Sequence, residues 1–316
     1  MNLSGLIGAL LPVFFVLLLG YIAGKRNSFD PDQAAGLSKL ALSFALPATL
    51  FISMARIPKD LLLQQGPLVL ALVLAHVGLF LVAWVILRQF KSVGSTASII
   101  LALMLSTSAT PVFGIAVLQP LLGPTSTGTV GLVALAINFT VPLAVVLLEM
   151  DAATKPANHA ESPNKNPIRT GLNAGLKSPL LWSPVLGIAV TLSGIHLPAT
   201  VTACLELIGS ATSGVAVFAV GLVLAAHPVR VSPIVLIGSL GRVTLQSAIL
   251  FALLHALHVV SPFAREALVC CSFPLATVVV LFAARYKAIE AESASMLLVS
   301  TLALAGTVPA ILWLSS

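Results

Sequence analysis

Charged side chains are scarce. The 316 residues hold 16 Lys+Arg and 10 Asp+Glu, 8% of the chain, against about 25% in ordinary soluble domains. A soluble globule covers its core with polar surface, and this chain has too little of it to do so. Cysteine is also rare. Cys204, Cys270 and Cys271 lie in apolar runs, with no CxxC or Cys/His spacing, which argues against a structural zinc site or a disulfide scaffold. The motifs HExxH, GxSxG and GxxxxGK[ST] are missing, as are paired intramembrane aspartates. An intramembrane protease or acyltransferase therefore lacks its nucleophile–base pair or metal ligands, and an ATP-driven pump lacks its phosphate loop.

Apolar sequence is what the chain does have. Hydrophobic residues make up 58% and the mean hydropathy is +1.08, as expected of an integral membrane protein whose solvent is mostly lipid. The net charge of +6 reflects juxtamembrane Lys and Arg that orient the chain, so no nucleic-acid partner is expected.

A crossing helix needs about 20 apolar residues. That ruler yields ten runs, near 4–24, 36–55, 67–88, 97–118, 128–149, 179–196, 199–226, 231–257, 265–284 and 294–314. No Lys or Arg precedes Lys25, so the first run reads as a transmembrane helix entering from outside rather than a signal peptide. With the amino terminus outside, 12 Lys and Arg fall in inside connections and 3 outside, with Arg242 left within a span. This bias predicts both termini outside a bacterial-type inner (plasma) membrane and a cytoplasmic linker over 150–178. The linker, rich in Pro, Asn and Ser, separates residues 1–149 from 179–316, five spans each.

An odd number of spans per half inverts the second half relative to the first, as in many secondary carriers. The fold expected is all-α and polytopic, with ten transmembrane helices in two inverted five-helix repeats. Two segments support the repeat. Ser106-Thr107-Ser108-Ala109-Thr110-Pro111-Val112-Phe113-Gly114 lies in the fourth span and Cys271-Ser272-Phe273-Pro274-Leu275-Ala276-Thr277 in the ninth. Each sets a proline among small hydroxyl residues near mid-span. A second pairing sets Ser43 to Pro47 against Ser210 to Gly214. Proline removes a backbone donor and frees a carbonyl one turn earlier, which is costly in hydrocarbon unless satisfied. Two such breaks predict discontinuous helices 4 and 9 crossing near the midplane, their half-helix amino ends facing a common anion. Ordinary proline kinks satisfied by neighbours are the plainer alternative.

The buried ionisable residues add to this. Arg242 lies roughly 16 Å into the eighth span at 1.5 Å per residue. Its fork could bind a substrate carboxylate, pair with Glu206, or cap freed carbonyls. Glu206 lies at a matching depth in the seventh span, and it could carry a proton. His76 in the third span and Asn138 in the fifth read as hydrogen-bonded packing residues, with Asn138 able to meet carbonyls freed at Pro142 or at the crossover.

The chain resembles a known family at these residues. Leu19-Gly20-Tyr21-Ile22-Ala23-Gly24-Lys25, Leu37-Ser38-Lys39-Leu40 and Leu46-Pro47-Ala48-Thr49-Leu50-Phe51 are similar to the first two helices of the auxin efflux carrier superfamily. Lys177-Ser178-Pro179-Leu180-Leu181-Trp182-Ser183-Pro184 and Gly221-Leu222 look most like the bacterial malonate carrier branch. The resemblance implies a scaffold of helices 1, 2, 6 and 7 that forms a homodimer. It also implies a transport block of helices 3–5 and 8–10 that slides as an elevator. Small organic anions would bind at the crossover, here Ser108, Thr110, Pro111, Phe113, Ser272, Phe273, Pro274 and Thr277, with Arg242 added from its depth. Ser43, Asn138, Glu206 and His76 would support binding or coupling. The family's plant members have an Asn beside the crossover proline, where this chain has Ser and Thr, so auxin itself is not the expected substrate. No cofactor is expected beyond a coupling proton or sodium ion. An anion channel or a membrane sensor of carboxylates is the alternative.

Overall fold

The computed structural model describes residues 3–123, 126–154, 177–195, 197–226 and 233–314, and the described residues are helical almost throughout. Helix α1 (Leu3–Lys25) is followed by α2 (Pro31–Leu40). Asp30 starts α2 with a capping box: its Oδ1 accepts from the Gln33 amide at 2.7 Å, and Gln33 Oε1 accepts from the Asp30 amide at 3.0 Å. A π turn (Ala41–Ala45) joins α2 to α3 (Leu46–Ala55). Pro47 opens α3 and has no amide to donate, so the ladder is rewired one turn earlier.

Next come α4 (Lys59–Gln64), α5 (Gly66–Val73), a second π turn (Leu74–Gly78) and α6 (Leu79–Leu87). Then follow α7 (Ser95–Ser106), α8 (Thr110–Leu122) and α9 (Ser126–Thr154). The second half contains α10 (Pro179–Ser193), α11 (Ala199–Ala226), α12 (Pro233–Ala256), α13 (Phe263–Cys271), α14 (Thr277–Arg285) and α15 (Glu290–Leu314). Most of the expected linker falls outside the described residues. Its first five, Met150 to Thr154, belong to α9 instead.

Among the described residues, five helical stretches are long and apolar enough to cross a bilayer, and α15 makes a sixth. Helix α15 bends by 55° between its Glu290–Leu304 and Gly306–Trp313 parts. Pro309 lies inside it, and the bond it cannot make falls at this bend. The other four of the ten expected runs behave differently. The first and sixth hold short apolar helices, Phe14–Lys25 and Pro179–Ser193. The fourth and ninth are each split, as α7/α8 and α13/α14.

Helix α9 is the most enclosed of the candidate spans, 78% buried against 33–44% for the other four unbent ones. It packs on α3, α5, α7, α8, α10 and α13, so it is a central post rather than a lipid-facing helix. On the far side, α1 packs on α11 along a seam of small residues. A Cβ at Gly20 would overlap the Phe218 carbonyl, and one at Gly221 would overlap the Leu17 carbonyl. Gly20-x-x-x-Gly24 faces Gly221-x-x-x-Ala225, the small-residue spacing that lets two membrane helices meet backbone to backbone. Helix α10 approaches α3 as closely, and Thr191 Oγ1 donates to the Met54 carbonyl at 2.8 Å.

The similarity expected between residues 43–47 and 210–214 is not seen in local geometry. The first lies in a π turn and the start of α3, whereas α11 runs unbroken through the second. The helices that carry the two segments pack on each other instead, and beside the segments Thr49 Oγ1 donates to the Gly209 carbonyl at 3.0 Å.

Candidate functional site: the meeting of two interrupted helices

The split helices meet where they are broken. Residues 107–109 and 272–276 leave the helical ladder between their half-helices. They pair through an antiparallel bridge between Ser108 and Leu275, and the Ala109 amide donates to the Pro274 carbonyl at 2.8 Å. Pro274 sits in its break. Pro111 does not: it occupies the first turn of α8, where a missing amide costs nothing because no intrahelical acceptor is available.

Four helix ends converge here, and their backbone groups must find partners away from water. The carbonyls are met by side chains from α8, α12 and α15. Arg242, fully buried in α12, donates from Nη1 to the Thr107 carbonyl at 2.9 Å and from Nη2 to the Phe273 carbonyl. One guanidinium thus holds the carboxyl end of α7 and that of α13. Its positive charge opposes the partial negative charge at both ends. Gln246, one turn along α12, donates from Nε2 to the Ser106 carbonyl at 3.0 Å and accepts from Arg242 Nη1 at 3.4 Å. Thr307 Oγ1 donates to the Ser272 carbonyl at 3.2 Å, and Ser300 Oγ accepts from the Leu275 amide at 3.1 Å. Thr110 Oγ1 shares a hydrogen with Ser108 Oγ at 2.7 Å and lies 3.3 Å from the Cys270 carbonyl.

The amino ends are treated differently. Helix α14 begins after Ala276 with no side-chain cap, so its opening amides, those of Thr277 and Val278, receive no capping side chain. Phe113 and Phe273 flank the junction with ring centroids 6.4 Å apart. Ser108, Thr110, Phe113, Ser272, Phe273 and Pro274 are all buried, Thr277 is partly open and Pro111 is exposed. Two buried nitrogens near this locus lack a partner: Arg242 Nε, and Nε2 of His76, whose π turn packs on α12. His76 Nδ1 faces the Leu72 carbonyl at 2.9 Å and must donate to it, so a neutral ring presents Nε2 as an acceptor.

Ser108, Thr110, Phe113, Ser272, Phe273 and Pro274 lie together around the junction, while Pro111 and Thr277 stand in the first turns of the helices that leave it. The supporting residues do not join them. Glu206 pairs with Arg56, which caps the carboxyl end of α3, not with Arg242, and both side chains are about half exposed. Matching depth did not bring Glu206 and Arg242 together, because depth along a helix says nothing of the direction a side chain faces. A half-exposed pair of this kind is worth at most about 1 kcal/mol. Asn138 reaches neither Pro142 nor the crossover: its Nδ2 donates to Ser53 Oγ at 3.0 Å, from α9 to α3. Ser43 is half buried beside α11. Away from the crossover, an open groove of about 400 Å³ is lined by Val16, Phe29, Leu37 and Phe218. Its apolar walls suit lipid rather than an anion.

Gln246 and Glu266 were not singled out by the sequence. Gln246 could have been: it stands four residues after Arg242, on the same helix face. Gln246→Leu should keep its volume but strand the Ser106 carbonyl, lowering stability by about 1–3 kcal/mol. Thermal melting in detergent checks this, and an unchanged melting temperature would mean the carbonyl finds water instead.

The geometry defines an integral membrane protein with a buried helix crossover. The sequence profile of the family described as "Membrane transport protein" matches residues 6–313. The chain belongs to that family, the auxin efflux carrier family, whose members are transporters and not enzymes. It is 32% identical over 315 residues to "Uncharacterized transporter YfdV" of Escherichia coli (strain K12), across 99% of this chain and 98% of that one. The protein of the same description from Shigella flexneri matches equally. A 54-residue stretch is 46% identical to the "Lysosomal cholesterol signaling protein" of Mus musculus, covering 17% of this chain and 6% of that protein.

Proposed function

We propose that the protein is a secondary carrier for a small mono- or dicarboxylate, malonate being the first to test. The observation that carries this reading is the division of labour at the crossover. Arg242 neutralises the two helix carboxyl ends, which leaves the uncapped amino end of α14, with its partial positive charge, for an anion. Arg242 then acts on the substrate mainly through its charge, since both Nη groups are committed to carbonyls and only Nε is open.

On this reading the ten apolar runs are ten crossings in two inverted repeats, with both termini outside. The mechanism is an elevator. Helices α1 to α3, α10 and α11 form the scaffold and, in a homodimer, the subunit contact. The remaining long helices form the moving block. Two ion pairs fit this grouping. Arg56–Glu206 joins α3 to α11 within the scaffold, and Arg285–Glu149 at 3.1 Å joins α14 to α9 within the block. Tyr286 adds a 2.7 Å bond to Glu149, and burial, followed by that bond, pushes its phenol up, so it remains a donor. A ligand shifts the block only by its differential affinity for the two positions. With no phosphate loop, gradients drive the cycle.

Counterflow in proteoliposomes tests the function. Labelled malonate should enter saturably and faster when unlabelled dicarboxylate is inside. Conductance that never saturates would replace the carrier by a channel, and ligand-induced stabilisation without flux would replace it by a sensor.

A further inference from the structure

Glu266 takes no part in the crossover described above, yet it is the most deeply buried carboxylate among the described residues, at 1% exposure. It lies in the first turn of α13. Its Oε2 accepts from the Thr129 hydroxyl of α9, and its Oε1 is buried with no partner at all. A buried carboxylate oxygen without a donor is costly, and such an oxygen calls for a partner. The partner must be positive or a donor, and small, since the side chain is closed off.

No basic side chain among the described residues pairs with Glu266, although Arg265 stands beside it with its Nε buried and without a partner. Helix α8 contains no ionisable side chain, and the acidic groups of α9 and α15 (Glu149, Asp151, Glu290, Glu292) stand at the far ends of those helices. On α12, Arg242 is committed to the crossover and His255 is exposed. On α13 itself, Arg265 is adjacent but turns its Nη2 to the Leu312 carbonyl at 3.4 Å. Cys270 stands one turn further on, on the same face of α13.

We infer that Glu266 and Thr129 form the binding site of a small monovalent cation, a sodium ion or a proton, that couples to the anion at the crossover. The inference rests on the carrier reading above. The coupling route is short. Glu266 and Cys270 are one turn apart on α13, and the Cys270 carbonyl meets the Thr110 hydroxyl, which in turn meets Ser108. A cation on Glu266 fixes the contact between α13 and α9 and so the register of the turn that holds Thr110. Anion and cation then favour one arrangement of these helices, and each raises the affinity for the other.

The test uses the purified full chain and needs no known substrate. Hydrogen exchange over 126–135 and 263–276 is measured while sodium chloride replaces choline chloride at fixed pH, and again across a pH series without sodium. Protection that rises with sodium identifies sodium as the ligand. Protection that rises only as pH falls, with a protonated-carboxyl infrared band lost in Glu266→Gln, identifies the proton. Either response should be abolished in Glu266→Gln and weakened in Thr129→Val, which keeps the carboxylate and guards against misfolding in the first variant. Neither cation changing exchange, or both variants responding like wild type, would make Glu266 a structural group. The counterflow experiment separates this failure from failure of the carrier reading: saturable anion exchange indifferent to sodium and pH overturns the Glu266 site alone. Cation-dependent protection without flux of any carboxylate overturns the carrier.

Discussion

Arg242→Ala is expected to melt roughly 5–10 °C below the wild type and to move no anion. The side chain links two carbonyls from opposite halves of the chain. Truncation strands both in a dry site, at a cost on the order of 3 kcal/mol, which for a chain of this size corresponds to several degrees. Transport should fall at least 100-fold, because the one full positive charge at the crossover among the described residues is gone and the two carboxyl ends of α7 and α13 are left facing each other. Arg242→Lys is the informative partner. Its single ammonium retains the charge but cannot span two carbonyls as the planar fork does. It should recover part of the transport and little of the stability. Thermal melting and counterflow on the same preparations check this. A folded Arg242→Ala protein with unaltered melting and no transport would move Arg242 from holding the helices to holding the substrate.

The second large effect concerns the scaffold. Gly221→Leu should cost about 3 kcal/mol or prevent folding, since the new Cβ would overlap the Leu17 carbonyl and lie 2.8 Å from the Tyr21 amide nitrogen. Both obstacles are backbone, so the helices α1 and α11 must separate along the whole Gly20–Gly24 seam. Gly214→Ala on the same helix is the control: a Cβ there meets nothing within 4 Å, and alanine is the better helix former. Size-exclusion profiles and melting of the two variants should diverge sharply. Equal behaviour would mean that α1 and α11 do not pack as described.

Much of the architecture was legible in the sequence, for definable reasons. Apolar runs are set by bilayer thickness, so the helices begin and end near the expected positions. The breaks were legible because proline among hydroxyl residues in mid-span has few other uses. Their exact residues were not. Pro111 marks the start of α8 rather than the gap, because proline at a first turn is compatible with the helix, whereas Pro274 lies in the gap itself. The partners of Arg242 could not be chosen, since carbonyls and a carboxylate ask the same of a guanidinium. The sequence left both open, and the carbonyls hold the Nη groups. Glu266 escaped notice because it follows Arg265 at the edge of a span, where a carboxylate usually meets water. The cover supplied by α9 is tertiary and leaves no mark in the local pattern.

The anion is expected to sit on the uncapped amino end of α14. Solid-state NMR of the reconstituted protein, with nitrogen-15 in the backbone and carbon-13 in the malonate carboxylates, measures this directly. A dipolar contact between a carboxylate carbon and the amide of Thr277 or Val278, lost on competition with unlabelled malonate, is the predicted result. Saturable malonate transport with no such contact, and with the label beside another part of the chain, would contradict it.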